Sequence, residues 1–502
     1  MRALVSAFRF SPLTTRRILR PTLRHRAAIR PSLLSAVTTS PSVQLSFKEK
    51  LAYGLGDTAS NFFFQAFNIF LAYYYTDVVR IKDSAVVGTL LGTVPILVAA
   101  LNPVIGVLAD RTNSRWGKFR PWILWGALPY GVLGYVMFAN PDFSPDGKLF
   151  FAYATYTLML VAYAAINTPY SALMGVMSPS SEDRTSLSTY RFACAFTGAL
   201  LIGWLVPMLS TFFAKVGGSE AAGFRYTMAI FAVVSVVLFL YTFLNTRERV
   251  LPPTDQKSSL GLDLRDLFRN GPWLVLFFAG FLTLANTGLR SGSGVYYFKY
   301  VVGNFAGLGN FNLVGFLAFI VGSLSTKLFT RFFSRRKLMI GLTILNALGM
   351  AAFYVADPHN LPLLYVLNIF ACFVAGPTPA IVWSMYADTA DYGTWKFGRR
   401  TTGLVFSATV FVQKVGLAIG SALIGWLLSY YGYVADAVQT PRALHGIMLL
   451  YAVLPGGFAL LSGLAIFFYP LDEPQVKQME GELAARKAAE TPAPASAAPS
   501  TS

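Results

Sequence analysis

The sequence predicts an all-α polytopic membrane protein, with twelve transmembrane helices in two pseudo-symmetric six-helix bundles. Three observations predict it. Apolar stretches of roughly 20 residues or more recur along most of the chain, each long enough to cross a ~30 Å hydrocarbon core as a helix. The alternating segments of about ten residues that a membrane barrel needs are absent. Basic residues are shared unevenly between successive loops: with a cytoplasmic N-terminus, the inside loops hold seventeen Lys and Arg against seven outside. That bias places both termini in the cytoplasm. A mean hydropathy of +0.53 and 15% aromatic residues agree with a membrane protein.

An Arg-rich extension, residues 1–46, opens the chain. Its first 44 residues carry eight arginines, no acid, and many Ser, Thr and Pro. This is the composition of a mitochondrial presequence, or else a start extraneous to a protein that begins near "VQLSFKEKLAYG"; disorder is expected either way. The first bundle, 47–250, contains apolar runs near 51–76, 84–109, 121–140, 149–176, 187–213 and 226–246. The polar interruption "RERVLPPTDQKSSLGLDLRDLFRNGP" then supplies a cytoplasmic linker over 251–272. The second bundle, 273–472, repeats the count with runs near 273–300, 311–330, 338–356, 361–386, 403–430 and 444–469. Within the tenth run, Pro377 and Pro379 of "AGPTPAIVW" remove backbone donors. A break or kink is expected there, bordering a substrate path or merely bending a packing helix. An Ala- and Pro-rich cytoplasmic tail, 473–502, ends the chain and is also expected to be disordered. A basic loop follows the second helix of each half, "ADRTNSRWGKFR" and "TRFFSRRK". Such internal symmetry suits a transporter with its site between duplicated bundles.

Other function classes find little support. The net charge of +18 sits in one set of loops and in the extension, which argues for membrane topology and against nucleic acid. Cys194 and Cys372 lie one in each half, within apolar runs, and read as small packing residues. His25, His359 and His445 form no cluster with metal-ligand spacing. No nucleophile elbow, phosphate loop or zinc-protease motif occurs. No enzyme, cofactor or metal is expected, and the chain is expected to work as a monomer in the lipid bilayer.

The polar residues inside the apolar runs carry the functional signal. Asp57, Asn61, Gln65 and Asn68 fall at i, i+4, i+8 and i+11 of the first run, on one helical face. Tyr156, Tyr163, Asn167 and Tyr170 form a stripe in the fourth. Asn286, Arg290, Ser293 and Tyr297 do so in the seventh. Arg191 lies near the start of the fifth run and Lys414 in the eleventh. A cation facing lipid costs roughly 2.5–3.5 kcal/mol, so three cost about as much as a whole fold's stability. Arg191, Arg290 and Lys414 must therefore face a hydrated cavity or carboxylates. For an isolated Asn or Ser, interhelical bonding with no ligand is the simpler reading. Amides, guanidinium and aromatic faces together suit a polyhydroxylated ligand. Asp57 is the one acid placed clearly inside a run; it reads as a proton carrier or as a neutralising partner of a cation.

"LAYGLGDTASNFFFQ", "YYYTDVV", "GVLADRTNSRWGKFRPW", "NTPYSALMG", "EDRTSLSTYRF" and "YADTADYGTWK" resemble the glycoside–pentoside–hexuronide:cation symporters. This family of the major facilitator superfamily includes melibiose permease. The likeness runs from about Phe47 to "ELAARKA". It implies that Asn61 and Asn167 stand where the family has sugar-binding carboxylates, Arg191 at its sugar-binding arginine, and Lys414 at its eleventh-helix lysine. It also implies that Asp110, Arg111, Arg115 and Lys118, in the loop after the second helix, latch the two halves in one conformation, the outward-open state. Glu182 and Arg184 would latch similarly, and Asp388 and Asp391 are expected as gating or loop groups at the cytoplasmic end of the tenth helix. One departure stands out. The family's cation-binding carboxylates in the second helix align with Val98, Leu101 and Asn102, and a fourth-helix threonine aligns with Ala164.

These readings converge on a secondary transporter that imports a glycoside, pentoside or small oligosaccharide across a bacterial inner membrane. Substrate binds at Asn61, Gln65, Tyr163, Asn167, Tyr170, Arg191, Asn286, Arg290 and Lys414, with protons rather than sodium as the coupling ion. The missing carboxylates leave an uncoupled facilitator or exchanger open, and a lipid or amphiphile carrier on the same fold is the further alternative. A sugar sensor would need a signalling domain that the tail does not supply. Neutral and acidic sugars stay equally open.

Overall fold

Residues 45–178, 180–250, 260–398 and 402–490 are described in the computed structural model. The extension 1–44, Pro179, linker residues 251–259, Arg399, Arg400, Thr401 and tail residues 491–502 lie outside them. Side-chain caps set most helix starts. Ser46 accepts from the Glu49 N–H while Glu49 reaches back to the Ser46 N–H, a capping box that begins α1 (Phe47–Ala66). The same helix continues through π-helical turns at Phe67–Leu71 and Tyr74–Val78. Asp83 caps α2 (Ser84–Arg111), which is interrupted at residues 100 and 101 just before Pro103. The rest of the first half is α3 (Arg120–Val136), α4 (Pro145–Met177), α5 (Glu182–Gly217) and α6 (Glu220–Asn245).

A linker helix, Leu260–Arg269, leads into α7 (Gly271–Val302), whose last turns from Tyr297 are again π-helical. Then come α8 (Gly307–Leu324), a short helix Thr326–Phe332, α9 (Arg335–Val355), α10 (Leu361–Phe397), α11 (Gly403–Tyr430) and α12 (Pro441–Phe467). The break expected in α10 falls at Gly376–Pro377, between helical segments Leu361–Ala375 and Thr378–Phe397. Among the described residues, ten of these helices are long and apolar enough to cross a membrane. The other two fall short for separate reasons: the charge-free part of α1 is diluted by Asn61, Gln65, Asn68 and Tyr73 to Tyr75, and α3 is 17 residues long.

The packing repeats after six helices. α1 packs on α5 and α6, α3 on α4 and α6, and α2 on α4. In the second half α7 packs on α11 and α12, α9 on α10 and α12, and α8 on α10. The halves meet where α2 lies along α11, α5 along α8, and the π-helical part of α1 against α7. Two of these seams depend on glycine. A Cβ on Gly425 of α11 would stand 2.2 Å from the Ser84 carbonyl oxygen of α2, and one on Gly309 of α8 would stand 2.4 Å from that of Trp204 in α5. Small residues let membrane helices approach closely where no hydrophobic force separates protein from lipid.

Two expectations need correction. Disorder was expected throughout the tail, but Glu473–Glu490 is helical. Its sequence is rich in helix formers, and Val476 and Met479 bury one face against the second half. Trp395 Nε1–H donates to Glu482 at 2.7 Å and Arg486 to the Trp395 carbonyl at 3.1 Å. The indole bond holds the Glu482 carboxyl below its usual range. The expected start of the fifth span, residue 187, is also late. Ser180 caps the Asp183 N–H, so the helix runs a full polar turn beyond its apolar stretch.

Gly425→Leu should force α2 and α11 apart at a cost of about 1–3 kcal/mol. A lowered thermal midpoint of the purified protein in detergent would register it; an unchanged midpoint would mean the seam gives way freely.

Candidate substrate cavity

A cavity of about 820 Å³ lies between the halves. α1 contributes Phe64 and Asn68, α4 contributes Tyr163, Asn167 and Ser171, α5 contributes Arg191, and α10 and α11 contribute Trp383, Phe406 and Lys414. Towards the end that carries the basic 112–119 loop, it is lined by Asn102, Ser171 and Ser407. Both serines are exposed there.

Arg191 is the most firmly held cation. Its Nε donates to Asp57 Oδ2 at 3.1 Å and its Nη2 to Ser171 Oγ at 3.3 Å. Its guanidinium lies 5.2 Å from the ring of Tyr170, which stacks on Tyr53 at 4.6 Å. Asp57 is 7% exposed and stands behind Arg191, outside the cavity lining. Asn167 donates to Ser60 Oγ at 3.1 Å, and Tyr163 stacks on Phe64 at 5.6 Å. Lys414 has no carboxylate within ion-pair distance among the described residues, and no Asp or Glu lines the cavity.

The predicted binding residues therefore divide. Tyr163, Asn167, Arg191 and Lys414 share the cavity. Tyr170 backs Arg191 without lining it. Asn61 donates to the Asp57 carbonyl of its own helix at 2.9 Å, and Gln65 is half-buried one turn further on; neither lines the cavity. Asn286 and Arg290 face the interior of the second half instead. The Arg290 guanidinium sits 4.3 Å from the Tyr451 ring and 4.8 Å from that of Phe353, and its Nη1 donates to the Tyr451 carbonyl at 2.9 Å. Aromatic faces have replaced the water or carboxylate expected around it.

At the basic-loop end, the latches expected for the outward-open state are not formed among the described residues. Asp110, Arg111 and Glu182 are exposed and make no ion pair among the described residues. Arg115 lies over Trp116 at 4.3 Å. The Lys118 backbone N–H, with those of Phe119 and Arg120, donates to the Glu248 carboxylate, an anion at the start of α3. Arg184 donates to the Ser178 carbonyl at 3.4 Å. The ion pairs found here are Lys50–Asp183 at 3.3 Å, Glu49–Arg249, and Arg335–Asp388 at 2.8 Å. Each lies within one half, so they brace halves rather than join them. Asp391 belongs to the same α10 segment as Asp388.

Sequence reasoning passed over Trp383 and Phe406, whose rings stack at 5.9 Å and 13° on the cavity wall. A Trp six residues after Pro377 was the available signal. It also passed over Asp77, which the π-helical extension of α1 carries into the buried interior.

A cavity between duplicated helical bundles, lined by amides, cations and aromatic rings, defines a membrane transporter of the major facilitator type and not an enzyme. The chain belongs to the MFS/sugar transport protein family, whose model matches residues 52–473. It is 35% identical over 450 residues to the putative glycoside/cation symporter YagG of Escherichia coli (strain K12), covering 89% of this chain and 97% of that one. It is 33% identical over 439 residues to the isoprimeverose transporter of Lactiplantibacillus pentosus (86% and 90%). A glucuronide carrier protein homolog of Escherichia coli (strain K12) is 31% identical over 451 residues (88% and 97%). Solved structures share the fold at lower identity. A proton-dependent oligopeptide transporter gives a TM-score of 0.62 at 13% identity, over 87% of this chain and all of that one. The nucleoside transporter NupG gives 0.56 at 16%, over 85% of this chain and all of that one.

If Asp57 and Arg191 each need the other, Asp57→Ala alone should destabilise by about 3–5 kcal/mol, because it strands a half-buried guanidinium. Asp57→Ala with Arg191→Leu should recover most of that. Thermal unfolding of the two single variants and the double variant reads the coupling; additive losses would show that the pair is incidental.

Proposed function

We propose that the protein imports a glycoside, pentoside or small oligosaccharide across a bacterial inner membrane by alternating access, coupled to protons rather than sodium. The observation that carries this reading is the convergence of Asn167, Tyr163, Arg191 and Lys414 on one cavity between the halves. Amide and guanidinium groups make paired bonds to vicinal hydroxyls. Trp383, stacked on Phe406, offers a flat face to the C–H side of a sugar ring. The names of the relatives, a glycoside/cation symporter and an isoprimeverose transporter, support the same substrate class.

The absence of acids from the cavity lining argues against sodium, which needs several oxygen ligands. Of the positions where the family resemblance implies cation ligands, Val98, Asn102 and Ala164 line the cavity, and only Asn102 offers a side-chain oxygen. A proton needs a single acceptor, and Asp57 supplies one. Sugar hydroxyls that draw Arg191 forward would loosen its 3.1 Å bond to Asp57. A buried carboxylate without its cation is costly, so a proton from water takes the place of the guanidinium, and sugar and proton enter together. Release of the sugar returns Arg191 to Asp57 and expels the proton.

The lack of lining carboxylates also favours a second reading, an uncoupled facilitator. Unpaired Lys414 favours a sugar bearing a carboxylate over a neutral one.

Arg191→Ala should reach the membrane in normal amounts and lose measurable sugar affinity by calorimetry; retained affinity would remove Arg191 from the site. Sugar entry into vesicles, screened over neutral glycosides and uronides, should make the medium alkaline without sodium. Asp57→Asn should abolish accumulation against a gradient while sparing exchange. Sugar entry with no proton movement and no sodium dependence would establish the facilitator instead.

A further inference from the structure

The cavity makes no use of "YYYTDVV". This stretch lies at the far end of α1 from the basic loop, where α1 and α7 both finish in π-helical turns. Such turns are frequent at functional sites. We propose that Asp77 is the hub of a gate that closes the cavity at this end, and that the gate must come apart for the cavity to open there.

The Asp77 side chain has no solvent exposure. Oδ2 accepts from Thr76 Oγ1 at 2.6 Å and from Tyr433 O–H at 2.7 Å, while Oδ1 accepts from Tyr300 O–H and from Lys299 Nζ at 3.4 Å. An ionised carboxylate has about four acceptor positions, and here all four are taken. Three of the donors belong to the second half and only Thr76 to the first. A buried carboxylate of one half, satisfied mainly by the other, is arranged for the closed state.

A second layer surrounds it. Lys299 also donates to Tyr73 O–H at 2.6 Å, and Tyr73 donates to Glu220 at the start of α6. Arg80, just after α1, pairs with Asp436 in the α11–α12 loop at 2.7 Å, and the Asp436 N–H donates to Tyr300 O–H at 3.0 Å.

The backbone gives an independent sign. Arg80 (φ 61°) and Asp436 (φ 54°) are two of the three non-glycine residues with positive φ among the described residues, and they are each other's ion-pair partners. Such conformations persist only where the surroundings enforce them, and they gather at switch regions. At the basic-loop end, by contrast, Lys50–Asp183, Glu49–Arg249 and Arg335–Asp388 each stay inside one half. Among the described residues, the ion pairs between halves are at the Asp77 end. Separating it would expose groups that water satisfies nearly as well as the protein does, which is the energetic condition for a joint that opens and recloses. The gate does not depend on which cargo the cavity takes.

Ser421 lines the cavity, so Ser421→Cys, with Cys194→Ala and Cys372→Ala, reports access. An impermeant maleimide is applied to either face of reconstituted vesicles. The parent should label from the basic-loop face and only slowly from the other. Asp77→Asn should raise labelling from the far face about tenfold or more, since it puts an amide N–H against donors and removes the nearest of the three carboxylates that Lys299 pairs with. Tyr433→Phe keeps the ring packed on Tyr296 and Tyr300 but removes the hydroxyl that meets Asp77 at 2.7 Å and Tyr300 at 3.0 Å, and should raise it about threefold. Unchanged far-face labelling, or an equal rise from both faces, overturns the gate. If Asp77→Asn does not fold, Tyr433→Phe and Lys299→Gln decide by the same criterion. Sugar affinity lost with a working gate, or the reverse, separates this proposal from the substrate assignment.

Discussion

A charge inside a hydrocarbon layer must find a counter-charge, water or a polarisable face, and most of the specific structure of this protein answers that demand. Arg191 finds Asp57 at 3.1 Å. Arg290 finds the faces of Tyr451 and Phe353 and one carbonyl. Lys414 finds the cavity. Asp77, the most buried of these carboxylates, finds Lys299 and three hydroxyls. Each answer commits a pair of helices to a relative rotation, because a side chain that leaves its partner is stranded at a cost comparable to the protein's margin of stability.

The answers fall into two kinds, and their distribution suits a protein with two states. Arg191–Asp57, Lys50–Asp183 and Arg335–Asp388 tie helices within one half, and such ties can persist while the halves move as bodies. The Asp77 cluster joins the halves. The seams along α2/α11 and α5/α8 combine close approaches at Gly425 and Gly309 with neutral hydrogen bonds, among them Trp426 Nε1–H to Thr89 Oγ1 at 3.0 Å and Asn312 to the Gly203 carbonyl at 3.0 Å. Close approaches and neutral bonds of this kind are less costly to part than buried ion pairs.

Lys414 and Arg191 have opposite circumstances in the same cavity. Arg191 already has a carboxylate, so a ligand there competes with Asp57; Lys414 has none among the described residues. In the proposed function, the first arrangement would link ligand to proton and the second would select for ligand charge. Asn61 and Asn167, standing where the family resemblance implies carboxylates, leave the lining with cations and no acid.

Much was legible from the chain alone. The membrane spans, the six-plus-six division and the break at Pro377 follow from local constraints: hydrocarbon thickness sets run length, and a missing N–H interrupts a helix wherever it falls. Helical period also placed Asn286, Arg290 and Tyr297 on one face. It could not say what that face meets, and the face meets the interior of the second half instead of the cavity. Only the tertiary structure decided that Arg191 and Arg290, alike as intramembrane arginines, have different surroundings. Only it carried α1 past residue 76 by π-helical turns, so that Asp77 is buried, and paired Lys50 with Asp183. The reason is the same each time: periodicity defines a helix face, whereas partners come from residues such as Lys299 and Tyr433, more than two hundred positions away, which only helix packing brings together.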